Sequence, residues 1–170
     1  MDHTVQIATA KKFIEYLDFK TTAMSDGLYR NPVRQYTCPE RLAREKDKLF
    51  HGYPLHLGFS CEIPEPGDFK TDDFSGVPIL LVRGVDGQAN AFLNVCRHRG
   101  APVAEGCGKG QRVFTCPYHA WVYGMDGSLQ YVPGEDGFGA LDTETHGLTR
   151  LPLQEKWGMI WSKITPGLDF

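Results

Sequence analysis

The chain has 170 residues, of which 41% are hydrophobic and 23% charged, with a formal net charge of −3. That is one domain's length with an ordinary globular composition, enough to bury a real core without disulfide staples. It excludes disordered, collagenous and fibrous chains, and the acidic balance argues against a general nucleic-acid binder.

The first twenty residues carry Asp2, His3, Lys11, Lys12, Glu15 and Asp18, which does not read as a secretory signal. Ile7, Ala10, Phe13, Ile14 and Leu17 recur at helical spacing and predict one amphipathic helix. Tyr29 to Tyr36 reads as a loop, with Pro32 as a breaker. Thr37-Cys38-Pro39-Glu40 reads as the start of a second helix. There Thr37 would cap, Pro39 would suit the first turn, Glu40 would complete a capping box, and Leu42, Leu49 and Phe50 would face inward.

Beyond Pro54 the pattern changes to strands and turns. Pro64, Pro66 and Gly67 break the chain, and the longest apolar stretch, Val77 to Val82, is strand-length, far short of a membrane span. Asp86-Gly87 between Pro78–Val82 and Ala91–Val95 predicts a hairpin, as does Asp126-Gly127 between Trp121–Tyr123 and Leu129–Val132. Leu148–Leu153 and Gly158–Ile164 supply further strands. The acidic cluster Glu62, Glu65, Asp68, Asp72 and Asp73 reads as a solvated loop, with a docking surface as the alternative. Helices followed by many short strands indicate a chain dominated by a β-sandwich or small barrel. Five cysteines, an odd number, fit a reducing cytoplasm, with some of them binding metal.

One constellation carries chemistry. Cys96-Arg97-His98-Arg99-Gly100 is followed by Cys116-Pro117-Tyr118-His119, with seventeen residues between His98 and Cys116. Each motif ends a predicted strand and offers one thiol and one imidazole, a donor set that suits zinc or an iron–sulfur centre. Pro and Gly let these loops turn sharply and expose backbone N–H groups. A closed Cys2His2 zinc site is the chemical competitor, although structural zinc sites more often pair like ligands at short spacing. Here each loop mixes the two types, a pattern suited to two metals, one iron taking both Cys and the other both His.

At these residues the sequence resembles the Rieske [2Fe-2S] family. Cys96-Arg-His-Arg-Gly-Ala101 and Cys116-Pro-Tyr-His-Ala-Trp121 are most similar to the N-terminal Rieske domain of a ring-hydroxylating (Rieske non-haem iron) oxygenase large subunit. The likeness extends from Thr37–Phe50 through Glu65-Pro-Gly-Asp68 to Trp157–Trp161. One departure is Ala120, where that family usually has Gly. The resemblance implies a mainly β fold, a β-sandwich with a cluster-binding subdomain and N-terminal helices. The boundaries expected are a helical leader over 1–52 and a Rieske domain over 53–170, with the cluster-binding part at about 94–124. The implied cofactor is a [2Fe-2S] cluster, with Cys96 and Cys116 on the inner iron and His98 and His119 on the outer one, their edges facing outward.

The resemblance also implies partners and a role. A reductase or ferredoxin would supply single electrons. A mononuclear-iron catalytic domain, in the same full-length subunit or a neighbouring one, would receive them for hydroxylation of an aromatic or similar substrate, in a homotrimer. That iron needs two His and a carboxylate with open positions. His146 is the one histidine beyond His119, so the catalytic domain is expected to be absent from this chain. No nucleic acid or membrane partner is expected. The alternatives are a free-standing low-potential Rieske ferredoxin and a zinc-stabilised interaction module.

The neighbours of the motif have two readings each. Arg97 and Arg99 would favour the reduced, more negative cluster or serve as surface caps. Trp121 and Tyr123 would pack the core or shield the cluster, with the Tyr123 hydroxyl available to a ligand sulfur. Cys38, Cys61 and Cys107 have no other Cys or His at motif spacing and read as buried thiols. His51 and His56 read as structural, and His3 and His146 carry no pattern.

Overall fold

The computed structural model describes residues 2–139, 141–143 and 145–167. The chain divides into two units, Met1–Cys38 and Pro39–Phe170. In the first, α1 (His3–Asp18) is capped by the Asp2 carboxylate, which accepts from the Thr4 N–H at 2.8 Å. The predicted helix is there, but no residue of it is buried, and Ile7, Phe13, Ile14 and Leu17 are all exposed. Periodicity identifies an apolar face; it does not supply something to cover it.

The expected loop before residue 37 contains a short helix, α2 (Arg34–Thr37), so Thr37 ends a helix instead of capping one. Cys38 is extended, at φ −82° and ψ 113°, as the residue before a proline prefers. In the second unit α3 (Pro39–Glu45) starts at that proline and runs into a π-helical turn, Lys46–Phe50. Leu42 and Leu49 do not face inward; each is 50% exposed. Phe50 is half-buried and meets the Phe74 ring edge-on at 6.0 Å.

The strands of the second unit are β1 (Leu55–Phe59), β2 (Phe69–Asp72), β3 (Ile79–Arg83), β4 (Ala89–Leu93), β5 (Cys107–Gly108), β6 (Val113–Thr115), β7 (Val122–Gly124), β8 (Leu129–Tyr131), β9 (Arg150–Leu151), β10 (Leu153–Lys156) and β11 (Met159–Ser162). They form three sheets, ordered β1-β11-β10, β5-β2-β3-β4-β9 and β6-β7-β8, with every pairing antiparallel. Both Asp-Gly hairpins are present: Ile79 pairs with Leu93 and Arg83 with Ala89 around Asp86-Gly87, and β7 pairs with β8 around Asp126-Gly127.

β3 explains why Val77–Val82 is a continuous apolar run without polar alternation. All five of its residues are buried. Leu80 and Val82 enter one core cluster with Phe92, Phe114 and Tyr123, while Ile79 and Leu81 enter another with Leu57, Leu151 and Ile160. Successive side chains point to opposite faces, so a strand covered on both sides must be apolar at every position. Its last residue is Arg83, whose guanidinium donates to both Glu155 oxygens on β10 at 2.7 and 3.0 Å, and to the Ile63 carbonyl at 2.8 Å. This bidentate pair ties the five-stranded sheet to the sheet of β1, β10 and β11.

Two further readings need correction. The acidic cluster is not wholly solvated: Asp68 is 3% exposed, and its carboxylate accepts from the N–H groups of Glu65 and Gly110. Glu62 pairs with Lys70 at 2.8 Å. Of the cysteines outside the motif, Cys61 and Cys107 are exposed and Cys38 is intermediate. Cys61 lies on a single 3-10 turn and Cys107 on the sheet-edge strand β5, elements too short and too marginal to bury a side chain. No disulfide joins any of the five. Among the described residues no helix is long and apolar enough to cross a membrane.

Candidate metal centre

The first motif loop leaves β4, and the second joins β6 to β7. Each is closed by the same pair of backbone bonds. Cys96 donates its N–H to the Ala101 carbonyl at 2.8 Å and accepts from Gly100 at 2.9 Å; Cys116 donates to Trp121 at 2.8 Å and accepts from Ala120 at 3.0 Å. The fifth residue of each loop takes a left-handed conformation, Gly100 at φ 76° and Ala120 at φ 55°. Glycine does so freely, whereas alanine carries a Cβ cost of roughly 1–2 kcal/mol. The departure at Ala120 therefore falls on the residue whose backbone most favours glycine.

These loops bring the predicted site residues together. Cys96 and Cys116, each 2% exposed, share one core cluster with Trp121 and Tyr123. The His98 and His119 rings lie 4.5 Å apart between centroids. Both imidazoles are half-buried, so they reach the surface less fully than expected. The Nδ1 atom of each is buried and has no hydrogen-bond partner among the described residues. Buried ring nitrogens are normally satisfied, so two unpartnered Nδ1 atoms on the same two loops as two buried thiols form a donor set that fits a metal. Among the described residues no three or more of His, Cys, Asp and Glu stand close enough to share one ion.

The electrostatics suit a neutral imidazole at His98. Burial, then the neighbouring His119, then Arg99 hold His98 below the ordinary histidine pKa, which favours the neutral ring. Tyr123 is fully buried. Its hydroxyl accepts the Arg97 N–H at 3.0 Å and lies 3.3 Å from Cys96 Sγ, where either group can donate to a thiol but only the hydroxyl can donate to a thiolate. Burial first, then the Cys96 contact, push the phenol well above its usual pKa, so it remains a donor. Arg97 and Arg99 are both exposed.

Three residues of this region were not distinguished by sequence. Asn94 is 4% exposed; its Oδ1 accepts from the N–H groups of Val103 and Ala104, and its Nδ2 donates to the Ala104 carbonyl at 2.8 Å. Phe138 meets His98 and Trp121 edge-on. His146 lies 6.4 Å from the Trp121 ring. An asparagine at a strand end two residues before a ligand was a usable signal, but nothing near Phe138 or His146 in sequence marks them. Trp121 itself is stacked on His98. His56, by contrast, sits on β1 between the rings of Phe59 and Trp161, in keeping with its structural reading.

Comparison with known proteins agrees with this geometry. The family model described as the Rieske [2Fe-2S] domain matches residues 54–149. The oxygenase subunit of carnitine monooxygenase from Acinetobacter baumannii is 33% identical over 148 residues, covering 87% of this chain and 40% of that protein. The alpha subunit of biphenyl 2,3-dioxygenase from Rhodococcus jostii is 34% identical over 140 residues, covering 80% and 30%. Among solved structures, a quaternary ammonium Rieske monooxygenase, described for carnitine oxidation by gut microbiota and inter-subunit electron transfer, superimposes with a TM-score of 0.73. It is 32% identical, with 80% of this chain and 37% of that chain covered. The chain thus spans about two fifths of the length of the carnitine monooxygenase subunit.

Proposed function

The chain belongs to the Rieske [2Fe-2S] domain family, and from that membership we propose that it is the electron-relaying part of a Rieske non-haem iron oxygenase. Cys96 and Cys116 would hold the buried iron, and His98 and His119 the outer one, each through Nδ1. The observation that carries this assignment is the pair of adjacent, buried and unpartnered Nδ1 atoms beside two buried thiols. The cluster, when bound, supplies one-electron redox chemistry.

The chain's own residues do the rest. The two backbone-closed loops fix the spacing of the ligands, and the core around Cys96, Cys116 and Tyr123 keeps water from the sulfurs. The Tyr123 hydroxyl would donate to a cluster-bound Cys96 thiolate, which stabilises added negative charge. The Rieske domain is taken as 53–170, with its cluster-binding part at about 94–124. Its partners would be a reductase or ferredoxin and a mononuclear-iron catalytic domain, assembled as a homotrimer. The inter-subunit electron transfer described for the quaternary ammonium monooxygenase supports such a partner. The unbridged cysteines favour a reducing cytoplasm. An aromatic substrate is one reading for the whole enzyme; relatives in both the biphenyl and the carnitine classes carry this domain.

Purified protein should be red-brown and hold about two irons and two sulfides per chain. Cys96→Ser or Cys116→Ser should abolish the cluster. Stoichiometric zinc with no visible absorption, in protein made with ample iron, would overturn the assignment.

A further inference from the structure

The two imidazoles are not walled alike. Trp121 lies parallel to the His98 ring, with 4° between planes and 5.1 Å between centroids. Phe138, from the 3-10 turn Glu135–Phe138, stands edge-on to both, at 5.6 Å and 83° from His98 and 5.7 Å and 79° from Trp121. The three rings form a closed triangle. His119 has instead the Tyr118 ring at 3.8 Å, on a residue 59% exposed.

Trp121 is held rigidly. It is buried, and its backbone carbonyl closes the second loop by accepting from Cys116. Its indole plane is therefore set by the core, and a ring stacked on it cannot swing about its Cβ–Cγ bond without striking the indole or Phe138. Trp121 belongs to the second loop while His98 belongs to the first, so the stack also fixes the loops against each other. We propose that Trp121 and Phe138 are positioning residues, an aromatic cage that sets the plane of His98 and aims its Nδ1 inward. The proposal rests on His98 being a ligand of the outer iron.

Phe138 is the informative position, because it is 44% exposed and its truncation leaves the buried core intact. In the metal-free chain the ring protons of His98 should carry ring-current shifts that collapse in Phe138→Leu and return in Phe138→Tyr. In the reduced, cluster-loaded chain, pulsed electron paramagnetic resonance should show one imidazole nitrogen coupling altered in Phe138→Leu and the other unchanged. Iron release to a chelator should rise about two- to tenfold, as expected for loss of one aromatic pair. Tyr118→Leu should leave the altered coupling at its wild-type value. Unchanged His98 shifts and unchanged couplings in Phe138→Leu would overturn the cage. Wild-type protein that shows the shifts but takes up no [2Fe-2S] cluster would overturn the functional reading, while the ring geometry itself stood.

Discussion

Removing the Tyr123 hydroxyl tests how this fold tunes its site. Tyr123→Phe keeps the buried ring and deletes two contacts, the one to Cys96 Sγ at 3.3 Å and the acceptance from Arg97 N–H at 3.0 Å. A hydrogen bond to a charged acceptor contributes roughly 1.5–3 kcal/mol. Both redox states of a bound cluster enjoy it, and only the extra share in the more negative, reduced state moves the potential. Taking that share as about 1 kcal/mol, at 59 mV per tenfold change for one electron, the midpoint should fall by about 40 mV. Protein-film voltammetry at neutral pH measures it. Urea unfolding of the same variant should show a loss of about 1–2 kcal/mol for the orphaned Arg97 N–H. A midpoint that stayed constant or rose would show that the hydroxyl does not donate to the sulfur.

Three other outcomes are expected. Glu155→Gln breaks a bidentate pair with a buried arginine and should cost about 2–4 kcal/mol in urea unfolding at neutral pH. The Arg83 bond holds the Glu155 carboxyl below the usual carboxylate range. Its contribution is therefore complete above that range and is lost as pH falls through the lowered folded value. The gap between wild type and variant should narrow only in acid, and a gap constant down to strongly acidic pH would refute the linkage. Ala120→Gly should stabilise the fold by about 0.5–1 kcal/mol, the Cβ cost less the extra freedom of the unfolded chain; a destabilisation of similar size in the same assay would contradict the strain argument. Asn94→Ala should lose about 2–4 kcal/mol, since it strands two backbone donors and one acceptor; a loss below about 0.5 kcal/mol would mean the clamp is dispensable.

What was legible in the sequence was local. The two Asp-Gly hairpins rest on turn chemistry confined to neighbouring residues, and both are where the residues put them. The ligand loops were legible for the same reason: Cys96 with His98, and Cys116 with His119, are each within one turn of chain. What was illegible depends on distant packing. Asp68 looks like a solvated acid until Gly110, far along the chain, supplies an N–H. Leu42 and Leu49 have the spacing of an inward face, but burial needs a partner surface that spacing does not name. Phe138 reaches His98 across forty residues of chain, from a segment whose Gly-rich sequence predicts only a turn. The role of Ala120 lay between these cases: the residue was visible, but its cost became apparent only with φ at 55°.

The twin backbone clasps of the ligand loops bear on how the protein is assembled and repaired. In many small metal-binding domains the unliganded chain is unfolded, and the ion's affinity is consumed in organising it. Here each loop is latched by its own amide bonds, and the core beneath it is built mainly from the chain's own apolar side chains. Insertion of iron and sulfide into such a chain resembles the filling of a socket. A molecule that loses its inorganic core to oxidants should therefore stay folded, escape proteolysis and remain fit for reloading, so that its working lifetime is set by cofactor supply and not by the durability of the polypeptide.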